Sequence, residues 1–157
     1  MKARKWVVLA AILWTAFIWG NSLQTASESA GMSSIVLDLF RPLLSWTGLS
    51  EDTMHTIVRK LAHMTEFAVL GLLCSAGVLI EVLGTKRKLW QLRCCIVLIG
   101  IVVAVIDESI QKFIPGRSGE IKDICIDAVG VVLGVCLQYL IARSIQKRQM
   151  AKNKKRT

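Results

Sequence analysis

CCIVLIGIVVAVIDESIQKFIPGR, residues 94–117, decides how this chain is read. From Cys94 to Ile106 no residue carries a charge or an amide; Asp107, Glu108 and Gln111 then arrive before Pro115-Gly116-Arg117 breaks the run. A helix from Cys94 to about Ile114 rises about 1.5 Å per residue and is long enough to cross roughly 30 Å of hydrocarbon. Hydrocarbon penalises ionisable groups, so acids placed where a spanning run is ending point to a function. Asp123 and Asp127 open the next apolar run and bring further carboxylates to the same end.

Working outward, the runs Ile121 to Ala142, Leu61 to Leu83 and Trp6 to Leu23 are also of spanning length. Composition agrees, with 54% hydrophobic residues and a mean hydropathy of +0.53. The expectation is an all-α polytopic membrane protein with four transmembrane helices, at about 6–23, 61–83, 94–114 and 121–142. One outer interfacial amphipathic helix is expected at about 32–48, and a basic tail at 143–157. Lys2, Arg4 and Lys5 before an apolar core resemble a secretory signal. That core is long, however, contains Trp6, Trp14 and Trp19, and ends in Gly20-Asn21-Ser22-Leu23 without an A-x-A-like cleavage site, so it is read as a retained span.

Most of the 20 basic residues fall at the N-terminus, in the connection with Lys86, Arg87, Lys88 and Arg93, and in the tail from Arg143. The positive-inside rule therefore predicts that both termini are cytoplasmic. The tail explains most of the +9 net charge. On a polytopic chain it is read as meeting anionic lipid headgroups, and nucleic acid is not expected as a partner. Cys74, Cys125 and Cys136 fall inside spans and Cys94 and Cys95 adjoin the inner end of the third; with no C-x-x-C or Cys/His zinc spacing, buried thiols in such positions are expected to pack as small apolar groups.

Between the first two spans, Met32, Ile35, Val36, Leu39, Phe40, Leu43 and Leu44 follow helical spacing, opposite Ser34, Asp38, Arg41 and Ser45. With Asp38, Arg41 and Pro42 this is a poor span. It is read as lying in the outer interface, anchored by Trp46, as a cap on the bundle or a lid. Ser50-Glu51-Asp52 reads as a helix start, so the second helix begins outside the hydrocarbon. Arg59, His63 and Glu66 then share one face, with Lys60 beside them. Asp107 and Gln111 share a face of the third helix, about 10 Å below its end if that end is near Ile114. On the fourth, Asp123, Asp127, Gly130 and Gly134 fall near one stripe, and Gly130-x-x-x-Gly134 permits close contact with a neighbour. Since the second and fourth helices run inward and the third outward, these groups are expected to meet in one outer-leaflet pocket.

Arg59-Lys60-Leu-Ala62-His63-Met-Thr-Glu66-Phe67 with Leu70-Gly71, Asp107-Glu108-x-x-Gln111-x-Phe113-x-Pro115-Gly116-Arg117, and Asp123-x-x-x-Asp127-x-x-Gly130-x-x-x-Gly134 together resemble the VanZ-like family of bacterial membrane proteins. Phe17 and Ser22 fit its N-terminal pattern, and the resemblance runs from about Trp14 to Gly134. It implies a multi-pass protein of the bacterial plasma membrane. The family is named after a protein associated with low-level resistance to the glycopeptide teicoplanin. Phe67 departs from the pattern, standing where tyrosine is often expected. Some relatives carry the label phosphotransbutyrylase, which suits an outward-facing intramembrane site poorly.

Three chemistries fit the cluster. In the first, Arg59, Lys60 and Arg117 neutralise Glu66, Asp107, Glu108, Asp123 and Asp127 and only hold helices in register. In the second, the site binds a membrane lipid, a lipid-linked cell-wall intermediate or the acylated antibiotic, with Arg59, Lys60, Gln111, Arg117 and Ser22 as substrate-binding residues. In the third, it is an enzyme whose catalytic groups are His63, Glu66, Asp107, Glu108, Asp123 and Asp127, with a divalent metal as a candidate cofactor on these oxygen and imidazole donors. No H-E-x-x-H, G-x-S-x-G or Walker loop is present. Ser22 is either a nucleophile or a helix cap, and the cap is the commoner role. A channel is disfavoured because no polar stripe continues through 94–106 or 131–142.

Overall fold

The structure, a computed structural model, describes residues 2–44, 48–82 and 89–154. Among these, five helices and no strand are found: α1 (Lys2–Ser22), α2 (Ala26–Leu44), α3 (Glu51–Val82), α4 (Leu89–Gln111) and α5 (Ile121–Lys154). Helices α3, α4 and α5 are each long and apolar enough to cross a membrane. Helices α1 and α2 meet that measure together, as a pair bent by 110°.

The start of α3 at Glu51 follows the predicted cap: the Thr53 amide donates to Ser50 Oγ at 3.4 Å, and Glu51 and Asp52 occupy the first turn. Three boundaries differ from expectation. Helix α4 stops at Gln111 rather than near Ile114, because the Phe113 and Ile114 amides bond to the carbonyls of Ile110 and Gln111, both at 3.0 Å, in a tight turn before Pro115. Asp107 is therefore one turn from the helix end, about 6 Å rather than about 10 Å. Helix α5 continues through the basic tail to Lys154, since residues 135–154 contain neither glycine nor proline.

Helix α2 begins at Ala26, ahead of the expected residue 32, because Thr25 and Glu28 form a capping box. The Thr25 amide donates to Glu28 Oε2 at 2.8 Å, and the Glu28 amide donates to Thr25 Oγ1 at 3.4 Å. Among the described side chains of α2 the buried one is Leu37, 2% exposed, whereas Ile35 and Leu39 of the expected apolar face are 72% and 76% exposed. The side chains of Phe40, Leu43 and Leu44, together with Ser45, Trp46, Leu83 and Lys86 to Lys88, lie outside the described residues.

Contacts set the topology. Lys60 meets Asp123, and Ser75 donates to Gln138 at 3.0 Å, so α3 and α5 advance side by side in the same direction. Trp14 reaches Glu66 while Val7 lies opposite Gly77, which makes α1 antiparallel to α3. Asp107 faces Asp127 while Gly100 lies against Val131, which makes α4 antiparallel to α5. The start of α1 and the far end of α5 consequently emerge from the same end of the bundle.

Gly130 and Gly134 explain the tight α3–α5 seam: a Cβ at either would collide with the backbone carbonyl of Met64 or Ala68. In a membrane such packing, rather than exclusion of apolar surface from water, holds helices together. Phe67 is fully buried beside Gly130, so the position where a tyrosine was expected is filled by an apolar ring in the core.

The bundle buries polar side chains beside an apolar core of Ile18, Phe67, Leu70, Ile96 and Val131, and its outer surface is apolar. Ser22, Ser75, Asp107, Glu108, Gln111, Asp127 and Gln138 are buried, while Ile12, Leu13, Leu98, Val102 and Leu140 face outward. A water-soluble fold seldom exposes so many large apolar side chains or buries so many acids, and lipid favours both. All five cysteines are free; Cys74 is partly buried, and Cys94, Cys95, Cys125 and Cys136 are exposed on the helix surfaces rather than packed in the bundle core.

Candidate functional site

The end of α1 supplies the first groups. Ser22, fully buried, donates to Asp107 Oδ1 at 2.7 Å. Its neighbour Asn21 donates through Nδ2 to Glu66 Oε1 at 2.7 Å, and Trp14, two turns earlier, donates through Nε1 to the Glu66 carbonyl at 2.8 Å. Neither Trp14 nor Asn21 is given a site role by the sequence reading, although an Asn-Ser pair closing an apolar run is a visible signal.

Gln111 ties the acids of α4 together. Its Nε2 lies 2.9 Å from Asp107 Oδ2, 3.3 Å from Glu108 Oε1 and 3.3 Å from Ser22 Oγ. Glu108 Oε2 in turn accepts the Glu120 amide at 3.0 Å, where the connection enters α5. That approach requires a small residue at Gly119, since a Cβ there would strike the Glu108 carbonyl.

Arg117 sits in the turn that Gly116 permits at φ 75°. Its guanidinium points to the end of α1, 3.5 Å and 3.4 Å from the carbonyls of Asn21 and Ser22, and donates to Ser29 Oγ at 2.8 Å. Cations at helix C-termini are favoured there by the dipole and by the free carbonyls. Burial, with the charge of Arg59 nearby, pulls the Arg117 pKa below the ordinary guanidinium value. Arginine nonetheless stays charged. The buried Arg117 Nε has no hydrogen-bond acceptor.

The remaining candidates lie on α3 and α5. Lys60 pairs with Asp123, and His63 Nδ1 stands 3.8 Å from Glu66 Oε2. Asp127, 1% exposed, has no hydrogen-bond partner at either oxygen. No lysine or arginine among the described residues forms an ion pair with Glu66, Asp107, Glu108 or Asp127. Charge pairing thus reaches only the rim of the cluster.

Arg59, Lys60, His63, Glu108, Gln111, Asp123 and Asp127 line a cavity of about 10 Å³, which holds about one water-sized sphere. Arg59 also borders a hollow of about 70 Å³ between α2 and α3, with Ala26, Ser33, His55 and Thr56. On the other side, an apolar groove of about 490 Å³ runs between α1, α3 and α4, from Val7 and Gly77 up to Thr15, Leu70 and Val131. Leu70 and Val131 each stand one helical turn beyond Glu66 and Asp127. The polar centre and the groove are therefore neighbours.

The family model described as VanZ/LLP1 matches residues 7–142, which includes every residue of this cluster. No curated protein and no solved structure matches the chain.

Proposed function

The chain belongs to the VanZ/LLP1 family, and from that premise we propose that it binds or processes an amphiphilic cell-envelope lipid at its inner polar cluster. The observation that carries this reading is the adjacency of two surfaces: buried acids and amides that charge pairing leaves unmatched, and a large apolar groove that begins one turn away. Such a pair suits a molecule with a polar head and an acyl chain. The head, a sugar or amine, presents donors to the acids of the cluster, and the hollow under α2, which shares Arg59 with the acid-lined cavity, is its way in.

In this reading α1, α3, α4 and α5 are the four crossings and both termini are cytoplasmic, which the charge distribution supports. The polar cluster then lies toward the outer face of the bacterial plasma membrane, where lipid-linked wall intermediates and glycopeptides are found. Helix α2, bent away from α1, lies in the outer interface. A purely structural cluster is disfavoured because its acids are mostly not paired with the available cations.

Purified full-length protein in nanodiscs, incubated with an envelope lipid extract, tests this. Saturable retention of one lipid class without product marks a binder, and a lipid product marks an enzyme; Glu66→Gln abolishes either. Absence of both in folded wild-type protein overturns the proposal. A sensitive Gram-positive host expressing the chain is expected to gain low-level teicoplanin tolerance, measured by its inhibitory concentration.

A further inference from the structure

Asp127 poses the sharpest electrostatic problem in the molecule. It is 1% exposed and neither oxygen has a partner among the described residues. A carboxylate removed from water requires donors, a proton or a cation. The nearby bases do not supply one: Lys60 turns to Asp123, and Arg117 to the α1 carbonyls and Ser29.

What stands next to Asp127 is a set of metal donors. A ring nitrogen of His63, an oxygen of Asp107 and an oxygen of Asp127 lie within 4.8 Å of one another, one from each of α3, α4 and α5. Asp107 is already oriented from behind, accepting Ser22 Oγ–H at one oxygen and Gln111 Nε2–H at the other. Metal-bound carboxylates are commonly fixed in this way by outer hydrogen bonds. The adjoining cavity, bordered by His63, Gln111 and Asp127, has the volume of a single water or ion.

We infer that His63, Asp107 and Asp127 bind one divalent first-row metal ion at the junction of α3, α4 and α5. Two carboxylates balance its charge, and the imidazole favours a first-row ion over calcium or magnesium. Three protein ligands leave a coordination position open toward the cavity, as in metal sites that hold a water or a substrate oxygen. Zinc bonds of about 2.0–2.1 Å set tetrahedral donors about 3.3 Å apart, so loading draws the three side chains together.

The inference rests on the same reading of the cluster as a ligand site, but metal uptake is measured without added lipid, so either can fail alone. Mn²⁺ is the probe, because the exposed thiols of Cys94 and Cys95 compete for zinc and only weakly for manganese. The full chain, purified without a histidine tag and stripped with chelator, is loaded with Mn²⁺ and desalted. Retained metal and the melting temperature are then read.

Wild type is expected to keep about one ion per chain and to melt later than the stripped protein. Asp127→Asn and His63→Ala are expected to lower retention at least tenfold, while Asp38→Asn, on the exposed face of α2, matches wild type. If Asp127→Asn does not fold, Asp107→Asn replaces it with the same expected loss. Folded wild type that neither retains Mn²⁺ nor gains stability overturns the inference and leaves a proton on Asp127. Retention that is equal in wild type and the site variants marks adventitious binding elsewhere and overturns it as well.

Discussion

Asp107 and Asp127 face one another with opposite degrees of satisfaction, so removing the Ser22 donor to the first and the charge of the second are expected to act in opposite directions. Asp107 accepts two hydrogen bonds, from Ser22 and Gln111, whereas Asp127 accepts none. Removing a buried donor leaves its acceptor uncompensated at a cost of about 1–3 kcal/mol. Ser22→Ala should thus lower the melting temperature by about 2–4 °C for each kcal/mol lost. Asp127→Asn relieves crowding of acids that have no basic partner, so in chelator-treated protein it should melt higher than wild type. Differential scanning of the two variants in the same detergent checks both. The polar residues themselves were legible in the sequence because hydrocarbon makes each of them conspicuous. Their partners were less so: that Arg117 serves the end of α1 and Lys60 serves Asp123 depends on side-chain direction at helix junctions, which spacing does not specify.

At the scale of elements, the α3–α5 seam was visible as Gly130-x-x-x-Gly134, and the glycines do meet the α3 backbone at Met64 and Ala68. Gly134→Val is expected to pry the helices apart, at the 1–3 kcal/mol or more typical of overpacking, and to lower folded yield in size-exclusion chromatography. Gly20→Ala has nothing within 4 Å of the new Cβ and should be neutral or stabilising by up to about 1 kcal/mol. The existence of all five helices was readable from run length and periodicity, and each of the four apolar runs coincides over most of its length with one helix. Ends were harder. Helix α5 passes through residue 142 without a break, because hydropathy marks where apolar side chains stop and not where backbone hydrogen bonding stops. Helix α2 turned a different side inward because, with lipid as solvent, an apolar face does not have to point to the core.

For the whole molecule, the topology read from contacts brings both helix ends near the termini to one end of the bundle, and the basic residues argue that this end is cytoplasmic. A cysteine introduced at Ser118, in a background without native cysteines, should react with an impermeant maleimide on intact cells, whereas one at Ser144 should react only after lysis. The reverse pattern would invert the proposed orientation. The larger claim is that the polar interior is a working site, tuned for a ligand at some expense in stability, as functional sites often are. Native mass spectrometry of the detergent-purified full chain addresses it most directly, comparing wild type with Asp107→Asn, which keeps an acceptor for Ser22. The account predicts a specific envelope lipid retained by wild type and lost from the variant, the two melting alike once chelator has stripped both of metal. Equal lipid retention by both, or a variant that loses lipid only because it no longer folds, would contradict it and leave the cluster as a structural junction.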